Sequence, residues 1–162
     1  ATREVFEDGW YLGLKDICFA LENPRDGRLD YFWVSRDSSL LIRGGANYAY
    51  DQIGAQLADF VVRRYGLPQE SFHIAVVGLR IMSEHEDSCC VTMELLGEEA
   101  RRMRPLLEES FLKDAKTGVS KGARPDFLRF AEIPRNFKGA LLVPELKRET
   151  LADLKIAGRT TA

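Results

Sequence analysis

Residues 36–53, RDSSLLIRGGANYAYDQI, carry the reading on which the fold turns. A charged turn leads into a short apolar strand at 40–42, then into the glycine pair Gly44–Gly45, then into the start of an amphipathic helix. Two adjacent glycines between a strand and a helix let backbone N–H groups approach a ligand with no Cβ in the way. The same pair also serves simply to turn the chain, so its neighbours must decide between the two uses.

Working outward, Ile53, Leu57, Phe60 and Val61 follow helical spacing and predict a helix over 50–64. Asp51 suits the positive N-terminal end of that helix, Arg63 and Arg64 suit its last turn, and Gly66 ends it. Upstream, 17–21 and 29–35 read as strands flanking the Asn-Pro-Arg-Asp-Gly turn chemistry of 22–28. Downstream, the apolar β-branched runs 73–80 and 89–96 predict a strand pair joined by the polar turn 83–88. A second helix is expected over 98–115, with Met103, Leu106, Leu107 and Phe111 on one face and Pro105 disturbing its N-terminal part. A loop at 116–123, a strand at 127–133, a turn at 134–139 and a terminal helix at 144–156 complete the pattern. The fold class is α+β: a small mixed sheet with two to three helices, preceded by a β-hairpin segment.

At 162 residues the chain suits one ordinary domain, or one domain and a piece of another. Its 45% apolar and 30% charged residues are those of a globular protein, and a net charge of −2 leaves no electrostatic footprint for nucleic acid. No apolar run approaches the roughly 18 residues of a membrane span. Cys18, Cys89 and Cys90 make no disulfide framework and read as free thiols in the cytoplasm or another reducing compartment. Cys89 and Cys90, adjacent in a strand, should point to opposite faces. A first residue of Ala rather than Met suggests a processed product or a fragment.

Four collinear segments then resemble the carboxy-terminal part of the adenylate-forming superfamily, which includes AMP-forming acyl-CoA synthetases, luciferases and peptide-synthetase adenylation domains. Asp8-Gly9-Trp10-Tyr11 with Asp16-Ile17 resembles its D-G-W-(F/Y)-x-T-G-D-I segment. Arg36 and the run Leu40 to Asn47 resemble its hinge-and-loop motif, G-R-x-D-D-x-I-x-x-x-G. Ala75-Val76-Val77-Gly78 resembles its A-V-V-G strand. Ile133-Pro134-Arg135-Asn136, Gly139 and Glu145-Leu146 resemble the closing L-P-R-T-x-x-G-K-I-x-R-x-x-L.

The resemblance implies that a carboxylic acid attacks the α-phosphate of ATP, giving an acyl-adenylate whose acyl group passes to a thiol. It implies ATP or AMP with magnesium, and coenzyme A or a carrier-protein arm, as ligands. It also implies a large amino-terminal domain as partner, supplying most of the acyl and nucleotide pockets and the phosphate-binding loop. Residues 1–36 would end that large domain, 37–148 would form a mobile lid, and 149–162 a terminal helix or linker. By position, Asp16 and Arg36 match nucleotide-binding residues; a carboxylate suits ribose because it accepts two hydrogen bonds. Gly44, Gly45 and Ala46 match the thiol-side loop, and Ser38 lies at the hinge.

The sequence departs from the family where activity is decided. Ala140 stands where the closing motif has its catalytic lysine, whose charge stabilises the transition state. Lys138, two residues earlier, would point to the same side in an extended segment and is the candidate stand-in. Ser38 and Ser39 replace paired aspartates, Lys15 replaces a glycine, and Asp51-Gln52 replaces a glutamate pair. The implied function is therefore part of an AMP-forming acid–thiol ligase, with no activity expected from the isolated chain. The alternative is a catalytically impaired lid serving as an interaction or scaffold module.

Other constellations carry less. Glu84-His85-Glu86-Asp87 are consecutive turn residues, which rarely converge on one ion, so no metal site is expected and a solvated turn is the simpler reading. His73, at the start of an apolar strand, reads as structural, and Arg101, Arg102 and Arg104 read as a solvated helix face.

Overall fold

The computed structural model describes residues 6–7, 10–11, 16–36 and 39–156, which fall into two compact units dividing between Leu40 and Leu41. In the first unit, β1 (Phe6–Glu7) pairs with β2 (Trp10–Tyr11), and β3 (Asp16–Glu22) pairs antiparallel with β4 (Leu29–Arg36). The β3–β4 turn is built from its side chains. Asn23 Oδ1 accepts the Arg25 N–H at 3.0 Å, and Asp26 Oδ1 accepts the Arg28 N–H at 3.1 Å. These short polar residues offer the backbone a local partner, which is why they mark turns.

The second unit begins one residue into β5 (Leu40–Arg43), which with β6 (Ala46–Ala49) makes a two-stranded hairpin running directly into helix α1 (Tyr50–Tyr65). The chain thus goes from strand to strand to helix, where a direct strand-to-helix turn was expected; the four-residue ANYA strand lacks the alternation that would announce it. In α1 the four expected apolar positions, Ile53, Leu57, Phe60 and Val61, are all buried. Gly66 closes the helix in a left-handed conformation, its N–H donating to the Val62 carbonyl at 3.0 Å.

A three-stranded sheet forms the floor, in the order β7 (Phe72–Leu79), β8 (Ser88–Leu95), β9 (Phe127–Phe130). β7 and β8 are antiparallel, Phe72 opposite Leu95 through Leu79 opposite Ser88, while β8 and β9 are parallel. The parallel pair requires a crossover, supplied by α2 (Gly97–Arg102) and α3 (Arg104–Gly118). One helix was expected over 98–115. Pro105 instead divides it, because a proline ring clashes with the carbonyl four residues back and its missing N–H is tolerated only in a first turn. On α3, Leu107, Phe111 and Ala115 are buried and Leu106 is exposed.

β9 ends at Phe130, three residues short of the expectation, its last neighbouring bond being Ala131 N–H to the Met93 carbonyl at 3.3 Å. The terminal helix α4 (Val143–Ile156) is continuous across residue 148, and Thr150 and Leu154 are buried. Arg129 of β9 pins it through Glu149 at 2.9 Å and Asp153 at 2.7 Å. Residues 149–156 therefore pack as part of the second unit, while 157–162 lie outside the described residues. Central β8 is buried at six successive residues, 88–93, so both sheet faces are covered. That covering buries the adjacent Cys89 and Cys90 together; all three cysteines are free thiols, with Cys18 exposed. No helix among the described residues is long and apolar enough to cross a membrane.

Candidate functional site

The glycine hairpin is defined by its dihedrals. Gly44 and Gly45 have φ of 59° and 74°, the pair of left-handed residues that a two-residue hairpin turn demands. A Cβ built on either would meet nothing within 4 Å, so glycine is required there by backbone conformation and the tip is open. Ala46 begins the returning strand.

Partners distant in sequence hold this hairpin. Gly44 N–H donates to Glu86 Oε1 at 3.1 Å. Ile42 N–H donates to Asp87 Oδ2 at 2.9 Å, and Asp87 N–H returns a bond to the Ile42 carbonyl at 2.8 Å. On the other side, Arg43 Nη1 donates to the Arg124 carbonyl at 2.7 Å and Nη2 pairs with Asp126, whose Oδ2 also accepts the Cys89 N–H at 2.7 Å. The charged turn expected to be merely solvated therefore has two of its carboxylates committed to the hairpin. Sequence reasoning missed Glu86, Asp87, Arg43 and Asp126, because separations of 42 to 83 residues leave no local signal.

In the first unit, Asp16 and Arg36 are directly opposed residues of the β3–β4 ladder, at its open end. Directly opposed residues have Cβ atoms about 5 Å apart, so two residues twenty positions apart lie side by side on the ladder; the Asp16 side chain is exposed. Ser38, the hinge candidate, lies outside the described residues, as do Asp8, Gly9 and Lys15.

The closing motif forms a second tight hairpin. Arg135 and Leu141 bridge antiparallel, Asn136 N–H donates to the Ala140 carbonyl at 2.9 Å, and Gly139, at φ 80°, donates to the Asn136 carbonyl at 2.9 Å. Asn136 Oδ1 caps the inside of the turn, accepting the Lys138 N–H at 2.9 Å and the Ala140 N–H at 3.0 Å. Lys138 thus sits in a turn, and the parity that would place it on the same side as residue 140 in an extended segment does not apply. Its Nζ lies 5.5 Å from the Phe137 ring centre, and Phe137 is 93% exposed. Ala140 is exposed and carries no functional group. Below the tip, Arg135 is anchored by Glu94 at 2.8 Å.

A cleft of about 340 Å³ separates this hairpin from the start of α1, with Tyr50, Asp51, His73, Arg135 and Gly139 among its walls. His73 is exposed at its edge. The buried thiols make poor nucleophiles. Burial pushes the Cys89 thiol up to about 12, with Arg43 pulling it down and Asp126 pushing it up, and Cys90 moves in the same direction for the same leading reason. Asp16, with its exposed side chain, is thus register-paired with Arg36, and the glycine turn is open at its tip. No group of three His, Cys, Asp or Glu that could hold a metal ion is found among the described residues.

No family model matches the sequence, and no curated protein matches it. Solved structures do match its fold. One is an acyl-CoA synthetase (AMP-forming)/AMP-acid ligase II-like protein from Dyadobacter fermentans, 14% identical with a TM-score of 0.52, over 88% of this chain and 36% of that one. Another is the anthranilate CoA ligase AuaEII in complex with anthranoyl-AMP, 20% identical, TM-score 0.59, over 93% and 26% of the two chains. A third is McyG A-PCP complexed with phenylalanyl-adenylate, 19% identical, TM-score 0.63, over 94% and 25%. The chain has the fold of a part of these adenylate-forming proteins and spans about a quarter to a third of their length, as a carboxy-terminal region would.

Proposed function

We propose that this chain is the carboxy-terminal region of an AMP-forming acid–thiol ligase of the acyl-CoA synthetase type. The observation that carries the reading is the fold likeness to two enzymes holding acyl-adenylates, which extends over 93–94% of this chain. In this reading the first unit belongs to the end of a large amino-terminal domain, and the second is the lid that moves against it. ATP activates a carboxylic acid as its adenylate, and coenzyme A or a carrier arm takes the acyl group. Asp16 accepts hydrogen bonds from the ribose hydroxyls, and Arg36 adds positive charge beside it. The Gly44–Ala46 turn admits the thiol arm, since no side chain projects from its tip. Lys138 supplies the charge that Ala140 lacks, reaching from the exposed closing turn.

The test is pyrophosphate release by the full-length protein against its Lys138→Ala variant, with a panel of carboxylic acids. The reading expects release in the parent and its loss, by about 100-fold or more, in the variant, as for removal of one transition-state charge. Release untouched by the variant would remove Lys138 from the chemistry. A parent inactive with every acid, yet able to make thioester from supplied acyl-adenylate, would keep only the second half reaction.

The exposed alanine at 140 favours a second reading, a lid that no longer adenylates and acts as an interaction module. Inactivity in both half reactions would count against the first reading and leave the second standing.

A further inference from the structure

A hairpin of two four-residue strands is marginal by itself, and its two-residue turn closes without outside help. Yet three bonds reach it from the turn between β7 and β8: Gly44 N–H to Glu86, Ile42 N–H to the Asp87 carboxylate, and Asp87 N–H to the Ile42 carbonyl. That turn is itself prepared for the task. Ser83 Oγ accepts the N–H groups of His85 at 3.1 Å and Glu86 at 3.2 Å, which fixes the backbone from which Glu86 extends. Gly78 leaves the room: a Cβ there would stand 2.8 Å from Asp87 Oδ2. We infer that Glu86 and Asp87 are positioning residues that latch the glycine hairpin and hold its open tip in one place.

The inference rests on the reading of Gly44–Ala46 as the thiol-side loop, and deepens it by naming what preorganises that loop. A binding loop fixed in advance spends less of its interaction energy on ordering. Because the bonds go to backbone N–H groups, an acceptor at the end of a side chain of the right length is what matters, and its charge is secondary. A neutral amide of the same length should therefore serve.

The experiment uses the full-length protein, its Glu86→Ala and Glu86→Gln variants, and Asp87→Ala as a second probe of the same latch. Amide exchange is read at Ile42 and Gly44, and coenzyme A is titrated as the thiol probe. Glu86→Ala should speed Gly44 exchange and weaken coenzyme A about fivefold each, the loss of one net hydrogen bond. Glu86→Gln should restore both. Glu86 is exposed, so its replacement leaves the fold intact even if Asp87→Ala does not. Unchanged exchange at Gly44 in Glu86→Ala would overturn the latch, as would failure of Glu86→Gln to restore exchange. If the parent binds no coenzyme A, the proposed function loses its thiol step, and the exchange measurement still decides the latch.

Discussion

Asn136→Ala is the sharpest perturbation of the closing turn. One side-chain oxygen accepts two backbone N–H groups there, from Lys138 at 2.9 Å and Ala140 at 3.0 Å. At ~1 kcal/mol per net hydrogen bond, both together contribute about 2 kcal/mol to keeping the turn closed. The backbone bonds between Asn136 and Ala140 and from Gly139 to Asn136 survive the change, so the turn loosens without losing its base. Local opening should then become about 30-fold more frequent. Hydrogen exchange at the Lys138 and Ala140 amides reads this directly and should accelerate by that factor. The urea midpoint should fall only slightly, because the tip is solvated and the core lies elsewhere. Asn136→Asp keeps the acceptor and should behave like the parent. Exchange at both amides within twofold of the parent in Asn136→Ala would refute the capping role.

Three further outcomes follow from the packing. Arg129, only 12% exposed at its side chain, joins β9 to Glu149 and Asp153, whose side chains are 39% and 55% exposed and stay solvated when the arginine is removed, so Arg129→Ala should destabilise the second unit by about 1–2 kcal/mol in urea unfolding and free the end of α4. Burial raises the Cys89 thiol from 9.0 to about 12, so its stabilising contribution is complete below pH 9 and is lost as pH rises towards 12. Stability should therefore fall above pH 9, and a thiol reagent at pH 8 should label Cys18 alone in the folded protein, with all three cysteines labelled in denaturant.

Much of the framework is legible in one dimension because its determinants are local. Helix α1 follows from the spacing of Ile53, Leu57, Phe60 and Val61, and from a glycine just past its end. The β7–β8 pair follows from two apolar runs around a polar turn, and the β3–β4 turn from Asn23 and Asp26. Local rules were weakest where they competed. Pro105 is incompatible with a helix interior and welcome in a first turn, and the pattern of 98–115 alone does not say that the helix restarts at Arg104.

By itself, then, the sequence determined the α+β class, the long elements, the glycine turn and the alanine at 140, since each depends on residues a few positions apart. Only the tertiary structure decided that Asp16 faces Arg36, that Glu86 and Asp87 hold Gly44 and Ile42, and that Lys138 sits in a capped turn. The physical reason is one of range. Periodicity and propensity describe how a segment divides itself between core and water, whereas these contacts join segments that come together only when the strands pair and the helices cover the sheet.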